Sequence, residues 1–413
     1  MKKVYLMFLT PLFLYSQNLE ELVNLSINNK MVNSSQQSLD SVKDAYESVK
    51  SGYLPKFDIG SKYAITNEET ANNAKKSTTS YGSISYTLYD GGKKYDTYDA
   101  YESTIKSGTE SLESLKNNIS LSVVTYYFNY LSLVSQKDAK LKEIEQLENQ
   151  LARLNKFLSV GTTTEDEVQK LISSVENSKV TLQEIELQIE TILHNLEYVT
   201  GESVTITTGS NIKELENGIN SDLRFDIKSL EYDLQTKRSN ADAEKSGYLP
   251  TIILNNTYST YDMNYDNKTN HYPYDSQNVV SANLSWNIFS FGETKYKHES
   301  KFKDYLSSKS KLEYEKNKAS VDLKLALKAY EIGKSKIKSA QANLKAASSA
   351  YDVIKSKFEN GLVDNVAYLQ SLSEKYNAIS QLNTSINDLE IKKANIIYQS
   401  GKKLQEYIKW GNH

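Results

Sequence analysis

Hydrophobic positions recur along the chain with two different periods, and the changes of period divide it into elements. Leu19, Leu22, Val23, Leu25 and Ile27 open an amphipathic helix expected to run to about Lys50. Pro55 stops it, because the residue before a proline is pushed toward extended geometry. From Lys56 the period falls to two. Phe57, Ile59, Tyr63 and Ile65 then share one face of a strand, and Lys56, Asp58, Gly60, Lys62 and Thr66 share the other. A polar stretch over 67–80 leads to a second strand, with Ile84, Tyr86 and Leu88 on one face and Ser83, Ser85 and Thr87 on the other.

The same order then returns. Ser51-Gly52-Tyr53-Leu54-Pro55 recurs letter for letter at Ser246-Gly247-Tyr248-Leu249-Pro250. Ile252, Leu254 and Tyr258 share one face of the third strand, and a polar, aromatic stretch follows over 261–277. In the fourth strand Val280, Ala282, Leu284, Trp286 and Ile288 alternate with Ser281, Asn283, Ser285 and Asn287, a polar face of hydroxyls and amides only. Each strand pair ends in a glycine turn, Asp90-Gly91-Gly92 or Ser290-Phe291-Gly292.

Long helical runs follow over 93–158 and 293–358, each on the order of 100 Å at 1.5 Å per residue. They turn at Gly161 and Gly361 and come back as second helices. The first returning helix carries an unbroken heptad seam: Val168, Leu171, Val175, Ser178, Leu182, Ile185, Ile189, Ile192, Leu196 and Val199. The second half answers, before its turn, with Ile337, Ala340, Leu344, Ala347, Tyr351, Ile354 and Phe358. Strict three-four spacing specifies coiled-coil packing of antiparallel neighbours; Gly108 and Gly333 are local exceptions. Because the landmarks recur about 200 residues apart, the chain reads as one unit written twice. The first repeat covers 17–200, with its strand hairpin at 56–89, and the second covers 221–413, with its hairpin at 251–289. A connector over 201–220 lies between them, with a short strand expected at 204–207.

Composition narrows the setting. Residues 1–16 read as an export signal: Lys2 and Lys3 precede an apolar stretch over 4–15, and Ser16 is a small residue suited to cleavage. Beyond it no run of about 20 apolar residues predicts a transmembrane helix. The absence of cysteine excludes disulfides, lipoprotein acylation and thiolate metal sites. A net charge of −3, with no basic patch among aromatics, argues against nucleic acid as a partner. His194, His271, His298 and His413 are isolated, and neither a catalytic constellation nor a phosphate loop is present. No enzyme activity, cofactor or metal is therefore expected. The 31 tyrosines, against 10 Phe and 2 Trp, suit surfaces that are apolar on one side and wet at the tip. Tyr63, Tyr86, Tyr258 and Trp286 on the strands, with Tyr53 and Tyr248 where helix hands over to strand, are candidate membrane-interface residues.

Four strands with one apolar and one polar face fit two settings. In water they would make a small soluble sheet in an exported coiled-coil structural or adhesive protein. In an outer membrane the alternation puts apolar side chains into lipid and polar ones into a lumen. Every edge must then be paired, so the sheet has to close. Four strands are too few, since about eight make the smallest practical barrel. Three copies leave room for a pore.

In their order and spacing, the helix-ending Gly-Tyr-Leu-Pro of both halves, Asp90-Gly91-Gly92, and the turns Val160-Gly161-Thr162 and Asn360-Gly361-Leu362-Val363 resemble the TolC family of outer membrane efflux proteins, over about 18–408. The resemblance implies a mainly α fold with membrane β. Duplicated helix, β-hairpin and helix halves would build an α-barrel from long antiparallel coiled-coil helices, and four strands per protomer would enter a shared trimeric β-barrel. It further implies a homotrimer set in outer membrane lipid of a Gram-negative bacterium, its helices extending into the periplasm. There it would meet a periplasmic adaptor (membrane fusion) protein and an inner-membrane pump or ABC transporter, as an exit duct for efflux or type I secretion. The stretches 67–80 and 261–277 would face outside the cell. The tip would dock the adaptor through Gly161, Thr162, Thr163, Gly361, Leu362 and Val363.

Thr164 and Asp364 are placed to cap the returning helices. Glu167 matches a position where the family places an acidic gate residue, while the position of its basic partner is Val363 here. Asp166, Glu167 and Asp364, repeated around a trimer, would form an acidic constriction favouring cations. The same carboxylates also suit the first turn of a helix, where the macrodipole favours negative charge.

Overall fold

A computed structural model describes residues 16–214 and 222–411. The expected export signal lies outside the described residues except for Ser16, as do His413 and the end of the connector. The chain is mostly helical and forms two units. One gathers the described parts of 1–34, 112–225 and 317–413, and the other gathers 35–111 and 226–316. Two 67-residue helices, α3 (Lys93–Ser159) and α6 (Glu293–Glu359), contribute residues to both.

In the first unit, β1 (Ser16–Gln17) leads into α1 (Leu19–Ser26) through a capping box. The Glu21 N–H donates to Asn18 Oδ1 at 2.9 Å, and the Asn18 N–H donates to the Glu21 carboxylate at 2.8 Å. The single helix expected from Leu19 to Lys50 is in fact two, because α2 (Lys30–Gly52) starts afresh after Asn29. Asn29 Oδ1 accepts the Val32 N–H at 2.9 Å, and its amide donates to the Val199 carbonyl at 2.7 Å. The break is thus held by a cap and by a contact far away in the chain.

α3 returns as α4 (Glu165–Thr200), and α6 returns as α7 (Asn365–Gln399). Every seam position named above on α4 and α6 is buried or half-buried. The exceptional glycines mark close approaches: a Cβ at Gly333 would lie 3.0 Å from Leu389 on α7. One at Gly108, in the second unit, would lie 2.9 Å from Leu39 on α2.

One core of the first unit surrounds Tyr127, packed with Leu19, Leu22, Phe128, Leu196 and Ile397. Its rim is two small sheets. β4 (Thr205–Ile206) runs parallel to β1, and β5 (Ser210–Ile212) runs antiparallel to β8 (Ile408–Trp410). The Tyr127 hydroxyl donates to the Thr207 carbonyl at 2.8 Å and accepts the Ser210 N–H at 3.3 Å. In this way the phenol of one buried ring satisfies the backbone of the connector, which could not otherwise be buried at low cost.

In the second unit, α5 (Phe225–Ala243) passes through a 3-10 turn, Glu244–Tyr248, to the third long strand. The sheet order is β2 (Lys56–Ile65), β3 (Lys76–Tyr89), β6 (Thr251–Asn264) and β7 (Ser276–Ser285), all antiparallel. Register decides what the faces contain. Phe57 lies opposite Ile84, Tyr86 opposite Leu254, Leu254 opposite Ala282, and Ile252 opposite Leu284, so the apolar sets of all four strands share one face.

Three expectations change in this sheet. The polar stretches 67–80 and 261–277 are partly strand, because Lys76 to Ser80 pair with both neighbours and Tyr261 to Asn264 continue β6. Leu88 leaves the alternation: a bulge between Thr87 and Tyr89 puts Tyr89 opposite Ile252. Trp286 and Ile288 lie beyond the end of β7, whose last pair is Ser285 with Thr251. The next partner would be Pro250, which has no N–H to extend the ladder.

Candidate functional site

Both helical turns of the first unit are built alike. Gly161 and Gly361 sit at φ 74° and 70°, the left-handed region. The Gly161 N–H donates to the Leu158 carbonyl at 3.0 Å and the Thr162 N–H to that of Phe157 at 2.9 Å. Their counterparts are Gly361 to Phe358 at 3.0 Å and Leu362 to Lys357 at 2.9 Å. This double closure ends a helix and satisfies its last carbonyls.

The turns then diverge. Asp364 caps α7 as expected, accepting the Ala367 N–H at 2.9 Å. Thr164 takes the N-cap position of α4 but does not cap it with its side chain. Thr164 and then Lys170, 3.1 Å away, hold the Asp166 carboxyl below its usual range. Glu167 accepts the Thr163 hydroxyl at 2.7 Å. Each of the three carboxylates therefore has a partner within its own turn.

Gly161, Thr162, Gly361 and Leu362 are exposed, while Thr163 and Val363 are half-buried. Val160, which the turn motif contains but the expected docking residues do not, and Val366 are exposed beside them. Below the turns a second core joins the two helical hairpins through Leu154, Val168, Leu171, Tyr351, Tyr368 and Leu372. Tyr368 stacks on Phe358 with ring centroids 4.9 Å apart. Burial, and then the hydrogen bond with Tyr368, pushes the Tyr351 hydroxyl well above the ordinary phenol range. Tyr351, Phe358 and Tyr368 share the hairpin that turns at Gly361, whereas Leu154, Val168 and Leu171 come from the one that turns at Gly161, so no local pattern links the two sets.

The sheet of the second unit carries the other predicted residues. Tyr63, Tyr258, Phe57, Ile59, Val280 and Leu284 are exposed on the apolar face, where Tyr86 is half-buried. Tyr53 turns onto α3 instead, edge-on to Tyr98 at 5.6 Å. Tyr248 stays exposed, and its carbonyl accepts the Trp286 indole N–H at 3.0 Å. Phe289 and Phe291 extend this exposed aromatic group, their rings 4.6 Å apart. Phe291 holds φ 50° where the first half has Gly91, so it keeps a bulky ring at a conformational cost. That departure from glycine was the readable signal for it.

The opposite face carries mainly hydroxyls and amides, with Ile253, Met263 and Val279 among them. Its rows include Lys56, Ser85, Asn255 and Ser281, then Asp58, Ser83, Thr257 and Val279. Among the strand residues of this face, the charged ones, Lys56, Asp58 and Lys62, all lie on β2.

A family model described as outer membrane efflux protein matches residues 22–202 and 222–398. The chain belongs to the outer membrane efflux protein family. This is a family of ducts and not a class of enzymes, and it sets aside the soluble-sheet alternative. The chain is 25% identical over 218 residues to Toxin and drug export protein A of Aggregatibacter actinomycetemcomitans, covering 50% of this chain and 48% of that one. It thus spans about half the length of that relative. In fold it is similar to a membrane protein from Pseudomonas aeruginosa, with a TM-score of 0.83, 14% identity, and 96% and 92% of the two chains covered. It is equally similar to the CmeC outer membrane channel of Campylobacter jejuni, with a TM-score of 0.82, 19% identity, and 93% and 85% covered. The TolC-like channel fold is common to the family member described here and these structures.

Proposed function

We propose that three copies of this chain form one outer membrane exit duct, carrying substrates outward from a periplasmic adaptor and an inner-membrane pump or ABC transporter. The observation that carries this reading is the sheet. Its register gathers the apolar side chains Phe57, Ile84, Leu254 and Leu284 of the four strands on one face, opposite a face mainly of hydroxyls and amides, and β2 and β7 are left as its edges. In lipid those edges must pair, and the edges of neighbouring copies supply the partners. β2 and β7 are each 10 residues long, and a tilted strand crosses the hydrocarbon core in about 9–11 residues.

On this reading the two halves, 17–200 and 221–413, are equivalent repeats, and their long helices line a periplasmic tunnel. The exposed Gly161, Thr162, Gly361 and Leu362, with Val160 and Val366, support the two turns as the adaptor-docking tip. Asp166, Glu167 and Asp364 would ring the tunnel there as an acidic constriction. The likeness to a toxin and drug export protein supports outward export.

Detergent-purified mature protein, cross-linked and then added to planar bilayers, tests the proposal. A trimer that conducts ions is expected. A monomer that stays soluble without detergent and forms no pores would overturn it.

A further inference from the structure

The segment joining β6 to β7, residues 265–275, folds back over the hydroxyl face of the sheet. Register places Tyr261 on that face, opposite Thr79, which in turn lies opposite Lys62. The Tyr272 ring packs on Tyr261 with centroids 4.9 Å apart, and Tyr274 meets Tyr272 edge-on at 6.1 Å. The Tyr261 hydroxyl donates to Gln277 Oε1 at 3.4 Å, and Gln277 shares the face in a row with Ser259, Tyr81 and Gly60. Tyr81 lies across Gly60 so closely that a Cβ there would be 2.5 Å from the ring. Tyrosines therefore gather at the far end of this face, away from the helices that feed the strands.

The loop is held in place from its neighbour. Glu69, in the segment 66–75 between β2 and β3, accepts the Asp266 N–H at 2.7 Å, the Asn267 N–H at 3.0 Å and the Asn270 amide at 3.1 Å. The Tyr265 hydroxyl donates to the Ala71 carbonyl at 2.9 Å. The 66–75 segment is itself closed: Thr70 and Asn73 form a bridge, the Thr66 hydroxyl donates to the Ala74 carbonyl at 2.8 Å, and Ala74 is buried. A folded anchor thus presents one carboxylate to the backbone of the longer loop, and charge-assisted bonds of this kind are the strong ones.

We propose that residues 265–275 are an outer constriction of the duct, in which Tyr261, Tyr272 and Tyr274 narrow the external mouth and Glu69 latches the loop in that position. The inference rests on the hydroxyl face being lumenal, as the shared-barrel reading has it. Tyrosine suits the place because it is rigid and bulky, with an apolar body and a polar tip. Repeated around three copies, the rings would set the largest solute that leaves, independently of any gate at the periplasmic tip.

The chain has no cysteine, so one introduced at Ser83, midway along the hydroxyl face, reports access from outside. Intact cells carrying Ser83→Cys would be treated with a small charged maleimide or with a bulky polyethylene-glycol maleimide. Glu69→Gln, and separately Tyr272→Ala with Tyr274→Ala, should speed bulky labelling by about five-fold or more and leave small labelling unchanged, as expected where pore diameter selects. Retention of the trimer on unboiled gels checks that each variant folds. Equal bulky labelling in all backgrounds, with small labelling intact, would overturn the constriction alone. Failure of the small reagent to reach position 83 in every background would overturn the lumenal reading, and the constriction with it.

Discussion

The Arg153 guanidinium lies over the Phe358 ring, 5.8 Å from its centroid. The same group lies over Phe157 on its own helix at 5.3 Å, so one cation bridges the hairpin that turns at Gly161 and the one that turns at Gly361. Because Arg153 is exposed, removing it as Arg153→Ala should cost about 0.5–1 kcal/mol of cation–π attraction. Limited proteolysis in detergent should then cut faster near 161–163, while Arg153→Lys should recover part of the protection. Identical cleavage of Arg153→Ala and the parent would remove this bridge from the account.

Substituting the turn glycines separates backbone need from docking. Space is open around both, so Gly161→Ala or Gly361→Ala meets no clash, only the left-handed φ. Each should lower stability by about 1 kcal/mol, seen as a modest fall in Tm. Leu362→Ala should leave Tm unchanged and weaken co-purification with the adaptor, because Leu362 is exposed. If Leu362→Ala binds the adaptor normally, the docking surface lies elsewhere.

Asp166→Asn, Glu167→Gln and Asp364→Asn, combined, should remove the tip charge while preserving the α7 cap, since Asn also caps helices. The reversal potential across a KCl gradient should then shift away from cation preference. An unchanged potential would make these ordinary first-turn carboxylates, favoured by the helix dipole alone.

Glu113 sets a pH dependence in the first unit. Desolvation works against its charge, but bonds from Lys403 at 2.6 Å and Lys116 at 3.1 Å prevail and lower its pKa. A lowered folded pKa contributes stability that is present above the unfolded value and lost as pH falls through the folded one. Its contribution should therefore be constant from neutral pH down to about 4.3 and disappear below that. With both lysines partly exposed, the cluster should contribute no more than about 1 kcal/mol. Glu113→Gln should flatten the acid limb of a Tm against pH curve; a limb identical to the parent's would discount the pair.

Much of this architecture was legible in the chain, because its signals are local. A period of two identifies strands and their faces, a heptad identifies a helix seam, and a glycine followed by a capping residue identifies a turn. Each depends on residues within a few positions of one another, and the burial of the α4 and α6 seams and the left-handed Gly161 and Gly361 agree with it. Tertiary structure decided what depends on partners distant in the chain. Asn29 reaches Val199 and splits a helix that periodicity would continue. Pro250 faces the position after Ser285 and ends a strand whose alternation runs on to Ile288. Glu69 has nothing around it in sequence to mark it, yet it holds the backbone of a loop in the other hairpin. Periodicity records which side of an element is buried; only the closed fold determines which residue meets it there.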